Sequence, residues 1–140
     1  MAIERQLIGL RGATTSKANS PKAIDEAVTE LVQQLVKRNS LTPEQIISIT
    51  FSVTTDLDAC FPAAIARRQP GWDEVPLLDC QQMAVHGDLN HCIRILALAW
   101  LPQGQRPQHP YLGKARKLRP DRSASIDSFP VKDYASQTFS

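Results

Sequence analysis

The spacing of apolar and polar residues predicts that the first half of the chain folds as a strand, a helix and a second strand. Residues 6–11 are mainly apolar and lead into small and hydroxyl residues, a pattern typical of a strand that ends in a turn. Ser20 and Pro21 suit the N-cap and first turn of a helix, and apolar residues then recur at helical spacing as far as Asn39. A second strand over residues 46–53 would complete a βαβ unit.

The second half is predicted to add a short helix and three further strands. The helix covers residues 61–69 and must end at Pro70, and the third strand follows Pro76. Residues 92–100 form the most apolar run in the chain; periodicity alone does not separate a strand from a buried helix there, and we favour a strand. After a proline-rich loop, residues 111–119 are predicted to form a last, basic strand.

Length and composition indicate one domain of the α/β class followed by a tail. A chain of 140 residues with 42% hydrophobic content is long enough for one compact core and too short for two. We expect the domain to span residues 1–122. Residues 123–140 are rich in serine and lack apolar periodicity, so we expect a flexible tail that cannot offset the entropy of its own ordering.

Charge and composition also narrow the possible partners. The net charge of +2 and the aromatic content of 6% argue against an RNA-binding module. No segment approaches the roughly 18 apolar residues of a membrane span, and the N-terminus lacks a signal-peptide pattern, so we expect a cytoplasmic protein that binds neither nucleic acid nor membrane. Cys60, Cys80 and Cys92 lie far apart without a C-x-x-C pair, which predicts reduced, largely buried thiols and no metal site.

Arg94 is the strongest candidate for a functional residue because it lies inside the apolar run. A buried guanidinium without an anionic partner would cost several kcal/mol. No Asp or Glu occurs between Cys92 and Trp100, so the partner is either a carboxylate from elsewhere in the protein or an oxygen of a ligand. Further arginines lie at predicted element ends, and Tyr111 begins the last predicted strand; several converging arginines would suit a small dicarboxylate ligand. These arginines are Arg11, Arg67 and Arg119.

Other readings of these residues remain open from composition alone. Arg67 could belong to a solvated basic face, and the chain carries no nucleotide-binding, hydrolase or zinc-protease motif. A Cys/His nucleophile built from Cys80 or Cys92 with His86 or His91 is a weaker hypothesis, because buried structural cysteines are commoner than reactive ones. A trimeric small-molecule binding or deaminase-like protein of similar size is a further alternative.

Several short blocks, in order and with matching spacing over residues 7–121, resemble the monofunctional bacterial chorismate mutases of the trimeric, barrel-like (Bacillus-type) family. The blocks are Leu10-Arg11-Gly12-Ala13-Thr14-Thr15, Thr55-Asp56-Leu57-Asp58-Ala59-Cys60-Phe61-Pro62-Ala63, Gly71-Trp72 with Val75-Pro76, Cys92-Ile93-Arg94, Tyr111-Leu112, and Leu118-Arg119-Pro120-Asp121. The resemblance favours a mutase over the trimeric binding or deaminase-like alternative.

The resemblance implies a fold, an assembly and a reaction. It implies a mixed β-sheet with flanking helices, an α+β arrangement in which three identical subunits form a homotrimeric pseudo-α/β-barrel with active sites at the subunit interfaces. It implies an isomerase that converts chorismate to prephenate by an intramolecular Claisen rearrangement, in the biosynthesis of phenylalanine and tyrosine. Such a pericyclic step requires no cofactor or metal, and the catalyst stabilises the transition state by charge and by holding the reactive conformer.

The resemblance also implies roles for individual residues. Arg94 matches the residue that contacts the ether oxygen and a carboxylate, and Arg11 and Tyr111 match residues that hold a carboxylate. The pocket wall is matched by Phe61, Ala63 and Leu118, the basic entrance by Arg67 and Arg119, and further substrate contacts by Leu78, Asp79, Cys80, Gln81 and Gln82.

Two positions depart from the family pattern. Gln82 stands where the family usually has a glutamate that binds the substrate hydroxyl and balances the arginine, and Ala64 stands where it usually has a lysine. Asp79 occupies a position that is commonly cysteine, so we hypothesise that the catalytic carboxylate has moved from residue 82 to residue 79. Residues 79 and 82 face opposite ways in an ideal strand, so this relocation requires an irregular backbone around Cys80 and Gln81.

Overall fold

The computed structural model describes residues 4–123, which form a four-stranded sheet with two helices packed on one of its faces. The strands are β1 (Arg5–Thr15), β2 (Ile46–Val53), β3 (Leu77–Gln81) and β4 (Cys92–Pro102), and the helices are α1 (Pro21–Asn39), α2 (Pro62–Ala66) and α3 (Pro120–Ser123). The spatial order is β1-β4-β2-β3, with β4 antiparallel to both neighbours and β2 parallel to β3. This mixed sheet with flanking helices confirms the predicted fold class.

Helix α1 begins and ends close to the predicted residues. The Ser20 hydroxyl accepts a hydrogen bond from the backbone N–H of Ala23 at 3.2 Å, as expected for an N-cap. Asn39 is the last helical residue, but the left-handed C-cap is Ser40, with φ of 52°. The buried Asn39 amide instead binds the backbone of Gln108 through both its oxygen and its nitrogen. Asn39 therefore fixes the loop that leads to the C-terminal segment.

Helix α2 is shorter than the predicted helix over residues 61–69. Only Pro62–Ala66 are α-helical, because Arg68 and Gln69 already donate to carbonyls three residues earlier. The tighter turn prepares the chain to stop at Pro70, which begins the connection to β3.

The predicted last strand over residues 111–119 is wrong. Tyr111 forms one parallel bridge with Ala13 of β1, and the chain then turns into a 3₁₀ helix over Gly113–Lys117. Gly113 has a φ of +55°, which ends extended backbone, and the 3₁₀ turn buries Ala115 while its charged residues face outward. The segment covers the edge of β1 without extending the sheet.

The two faces of the sheet differ in what covers them. One face, together with α1 and α2, forms the main core, in which Leu10, Phe51 and Ile95 are almost fully buried. The side chains on the opposite face include large apolar residues that remain exposed: Leu7, Leu78, Leu96 and Leu98. We call this surface the bare face.

No helix in the described part of the chain has the length and apolar character that crossing a membrane requires.

The prediction that the cysteines are largely buried is confirmed only in part, because Cys92 is buried and Cys60 half-buried but Cys80 is exposed. The predicted flexible tail, residues 124–140 in particular, lies outside the described residues.

Candidate functional site

Arg94 lies near the start of β4, on the bare face, between Ala13 of β1 and Ser52 of β2. Its side chain is only 11% exposed, and one guanidinium nitrogen, Nη2, donates to Oδ1 of Asp88 at 3.2 Å. Nε and Nη1 are buried and have no hydrogen-bond partner among the described residues. The expected anionic partner thus exists, but it occupies only part of the guanidinium and leaves donors for a ligand.

Arg94 lines a cavity of about 200 Å³. We call it the arginine pocket. It brings together four residues that the sequence predicted to bind substrate, which are Arg11, Gln82, Arg94 and Tyr111, and its remaining lining comes from Gly12, Thr50, Ser52, Ile95 and Leu96. Two arginines and a tyrosine around a small cavity are suited to an anionic ligand.

The β1 wall of the arginine pocket depends on a close approach of two backbones. The Ala13 N–H donates to the Pro110 carbonyl at 3.0 Å, and the Arg11 N–H donates to Nδ1 of His109 at 3.0 Å. A Cβ atom at Gly12 would lie 2.6 Å from the Pro110 oxygen, which is closer than real Cβ atoms come. Glycine at position 12 therefore permits the contact that places Arg11 beside Tyr111.

Gln82 extends the parallel ladder beyond β3 and turns its side chain toward the arginine pocket. Its N–H donates to the Val53 carbonyl at 2.7 Å, and its Oε1 accepts a hydrogen bond from the Ser52 hydroxyl at 2.9 Å. Because Ser52 lies opposite Arg94 in the β2–β4 register, the Gln82 amide is held on the same face as the guanidinium.

A second cavity, of about 690 Å³, lies beside the N-terminus of α2 and the end of β3. We call it the groove. Its lining includes Phe61, Asp79, Cys80 and Gln81, which the sequence predicted to bind substrate, and also Ala64. Phe61 is 70% exposed, so its ring is free to contact a ligand or another subunit.

Asp79 is fixed within the groove by the start of α2. Its Oδ1 accepts a hydrogen bond from the Ala63 N–H at 3.0 Å. Burial raises the pKa of the Asp79 carboxyl, while the Ala63 N–H and the charge of Arg67 act in the opposite direction. Its position contradicts the hypothesised relocation within one protomer, because β3 is regular as far as Gln81 and Asp79 pairs with the core residue Phe51. Asp79 and Gln82 thus lie on opposite faces.

The other predicted site residues lie around these two cavities. Leu78 is 60% exposed on the bare face, Ala63 is buried in the core beneath the groove, and Arg67 is exposed just after α2. Leu118 packs on the cluster that contains Tyr111. Arg119, expected at a basic entrance, is 3% exposed and binds Asp121 through two hydrogen bonds of 3.1 and 2.9 Å; the pair raises the pKa of Arg119.

The cysteines offer little support for nucleophilic chemistry. Burial raises the pKa of the Cys92 thiol to about 11, despite the opposing charge of Arg94, so the thiol is protonated at neutral pH. Within the described residues there is also no group of three or more His, Cys, Asp or Glu side chains placed to hold a metal ion.

Two polar side chains that line the arginine pocket, Thr50 and Ser52, and the ion-pair partner of Arg94, Asp88, were not predicted from the sequence. Thr50 and Ser52 could have been found, because polar residues alternate with Ile49, Phe51 and Val53 along β2 and so share one face. Asp88 gives no such signal. It lies in the connection between β3 and β4, and only the folded turn brings it to Arg94.

Comparisons with known proteins agree with this arrangement. A family model described as chorismate mutase type I matches residues 7–122. Over 117 residues the chain is 38% identical to chorismate mutase AroH of Bacillus subtilis (strain 168), covering 82% of this chain and 91% of the relative. It is 42% identical to chorismate mutase AroH of Thermus thermophilus over 117 residues, covering 81% and 93% respectively.

A solved structure gives the same answer for the fold. A chorismate mutase from Clostridium thermocellum superposes with a TM-score of 0.73 and 35% sequence identity, covering 78% of this chain and 97% of that chain. Because the family model spans most of the residues and the relatives are aligned over nearly their whole length, this chain belongs to the type I chorismate mutase family.

Proposed function

We propose that this protein is an isomerase that converts chorismate to prephenate, a step in the biosynthesis of phenylalanine and tyrosine. The observation that carries the proposal is Arg94, whose Nε and Nη1 are buried without a partner among the described residues and whose side chain lines the same cavity as Arg11 and Tyr111. The family membership of residues 7–122 supports the same reaction.

The arginine pocket provides what an intramolecular Claisen rearrangement requires. In this reaction an ether C–O bond breaks while a C–C bond forms, no atom is gained or lost, and negative charge grows on the ether oxygen. We propose that Arg94 donates to that oxygen and to a carboxylate, and that Arg11 and Tyr111, which line the same cavity, hold carboxylate. Donors already oriented by the fold stabilise the transition state without having to reorganise.

We further propose that the active enzyme is a homotrimer in which the groove of one subunit closes the arginine pocket of the next. The bare face supports this assembly, because four large apolar side chains remain exposed there on one protomer. The two sets of predicted site residues support it as well, since Asp79 lies on the opposite face of β3 from Gln82. A ring of three with head-to-tail contacts would bring the two faces together at each interface.

The first experiment measures loss of chorismate absorbance and appearance of prephenate with the purified protein. Turnover far above the uncatalysed rate is expected, and its absence would overturn the proposed reaction. The oligomeric state, measured by sedimentation under assay conditions, is expected to be trimeric.

Shared sites are tested by mixing two variants that each damage one half. Arg94→Ala removes the guanidinium of the arginine pocket. The double variant Phe61→Ala with Arg67→Ala removes two side chains at the groove. After the variants are mixed in equal amounts, unfolded together and refolded, the refolded population should recover about a quarter of wild-type activity, because about three of four random trimers are mixed and each of these contains one intact site in three. Each variant refolded alone is the control. Failure to recover activity in mixed trimers would show that each subunit builds its own site.

A further inference from the structure

Asp88 forms the ion pair of Arg94, and neither composition nor spacing assigns it a role. The Nη2 to Oδ1 distance is 3.2 Å, and the two side chains are 11% and 20% exposed. No other ion pair of Arg94 occurs among residues 4–121, and the neighbouring side chain in the arginine pocket, Gln82, carries no charge. Asp88 is therefore the carboxylate that balances the buried guanidinium within one protomer.

The turn that carries Asp88 is held in place by the backbone. The Asp88 N–H donates to the Val85 carbonyl at 3.1 Å, and Oδ1 also accepts from the Leu89 N–H at 2.8 Å. The segment is fixed at both ends, by Gln82 at Val53 and by His91, whose N–H donates to Oδ2 of Asp56 at 3.0 Å. A carboxylate held in this way is suited to fix the orientation of a neighbouring side chain.

The ion pair with Asp88 engages only one of the three guanidinium nitrogens of Arg94. Asp88 binds Nη2, whereas Nε and Nη1 are buried without a partner among the described residues, in a side chain that lines the arginine pocket. A guanidinium is planar and rigid, so fixing one nitrogen by an ion pair fixes the directions of the other two. Among residues 4–121 no other ion pair would hold the guanidinium in this orientation if that contact were lost.

We propose that Asp88 is the positioning residue of this enzyme, which orients Arg94 so that its remaining donors meet the reacting ether oxygen. This inference rests on the proposed mutase function. It predicts that the negative charge of Asp88, rather than its shape, determines turnover. It also predicts that a carboxylate at residue 82 can take over the task, because Gln82 lines the same pocket and is hydrogen-bonded to Ser52 opposite Arg94.

The test compares kcat and KM for the wild type, Asp88→Asn, and Asp88→Asn combined with Gln82→Glu. Asparagine keeps the oxygen that accepts from the Leu89 N–H and loses only the charge. We expect kcat to fall about 10-fold to 100-fold in Asp88→Asn, because misorientation of a catalytic group by about 1 Å costs up to that much, with KM less affected. Adding Gln82→Glu should restore most of the lost turnover. Asp73→Asn, an exposed carboxylate outside both cavities, is the matched control and should leave kcat unchanged.

A second readout does not depend on turnover. The ¹⁵N resonance of the Arg94 Nε–H, identified by its loss in Arg94→Lys, should shift in Asp88→Asn and not in Asp73→Asn. A wild-type protein without mutase activity would overturn the proposed function itself. If the wild type is active, a native kcat in Asp88→Asn would overturn only the role of Asp88. The same conclusion would follow if Asp79→Asn lowered kcat strongly while Asp88→Asn left it unchanged. Failure of Gln82→Glu to rescue would equally contradict a role based on charge.

Discussion

Replacing Arg94 with lysine is the most direct test of the arginine pocket, because the substitution preserves the charge and removes the fork. In the folded protein Nη2 is engaged by Asp88, while Nε and Nη1 remain for a ligand. A lysine has one nitrogen at the end of a flexible stem, and that nitrogen cannot contact Asp88 and a reacting oxygen in two different directions with the same geometry. The variant should therefore fold normally and turn over slowly.

The magnitude follows from what is lost at the transition state. Removing one donor aimed at developing oxyanion charge typically costs about 2.7–4 kcal/mol, or a factor of about 10² to 10³ in kcat. Stability should change much less. Lysine can keep the ion pair with Asp88, and the substitution removes the two buried nitrogens that lack a partner within the described residues, so the unfolding free energy should change by less than about 1 kcal/mol.

The assay is the steady-state loss of chorismate, paired with thermal unfolding followed by circular dichroism. Arg38→Lys is the matched control, because it makes the same chemical change on the exposed surface of α1, where the Arg38 Nε binds Gln34. Near-native kcat in Arg94→Lys would refute the role of the guanidinium fork. A large fall in melting temperature would show instead that Arg94 is needed for folding, and would make the loss of activity uninformative about the pocket.

Two further substitutions test the supports of the two cavities. Gly12→Ala should destabilise the fold by about 1–3 kcal/mol in chemical denaturation, since its Cβ would meet the Pro110 oxygen at 2.6 Å; an unchanged midpoint would show that this loop yields freely. Asp79→Asn should raise the melting temperature at pH 7, because a raised pKa means that ionisation of Asp79 opposes folding above its folded-state pKa. The gain should shrink as the pH falls through that pKa and vanish below the unfolded value of about 3.8, and a pH-independent gain would rule out this explanation.

The fold was predictable from sequence wherever one face of an element meets the core and the other does not. Helix α1 shows the helical period and a serine-proline start, and β2 alternates apolar and polar residues, so both were located closely. The final segment was assigned wrongly because basic residues between apolar ones over residues 111–119 fit both an extended strand and a 3₁₀ turn. Gly113 has a left-handed backbone, with φ of +55°, and this conformation starts the 3₁₀ turn. Because glycine adopts positive and negative φ about equally readily, the sequence does not predict this conformation.

The site was predictable from the sequence where a buried charged side chain requires a partner of opposite charge. An arginine in the most apolar run implies an anion beside it, and this reasoning identifies Arg94 from the sequence alone. The same reasoning does not name the anion, since Asp88 reaches Arg94 through a turn whose course depends on hydrogen bonds to Val85 and Leu89. A partner that lies in a loop is determined by backbone geometry, which side-chain periodicity does not encode.

The relation of Asp79 to Gln82 shows why the departure at position 82 cannot be judged from sequence alone. The regular pairing of β3 with β2 sends Asp79 toward α2 and Gln82 toward Arg94, so moving a carboxylate by three residues transfers it to the other face. Within one protomer Asp79 therefore cannot replace a charge at residue 82, whereas Asp88 can, because it already contacts the guanidinium. If the groove of a neighbouring subunit also presents Asp79, the guanidinium would meet carboxylates from two chains. Gln82 would then be better neutral, because a third negative charge would compete with an anionic substrate for the same donors.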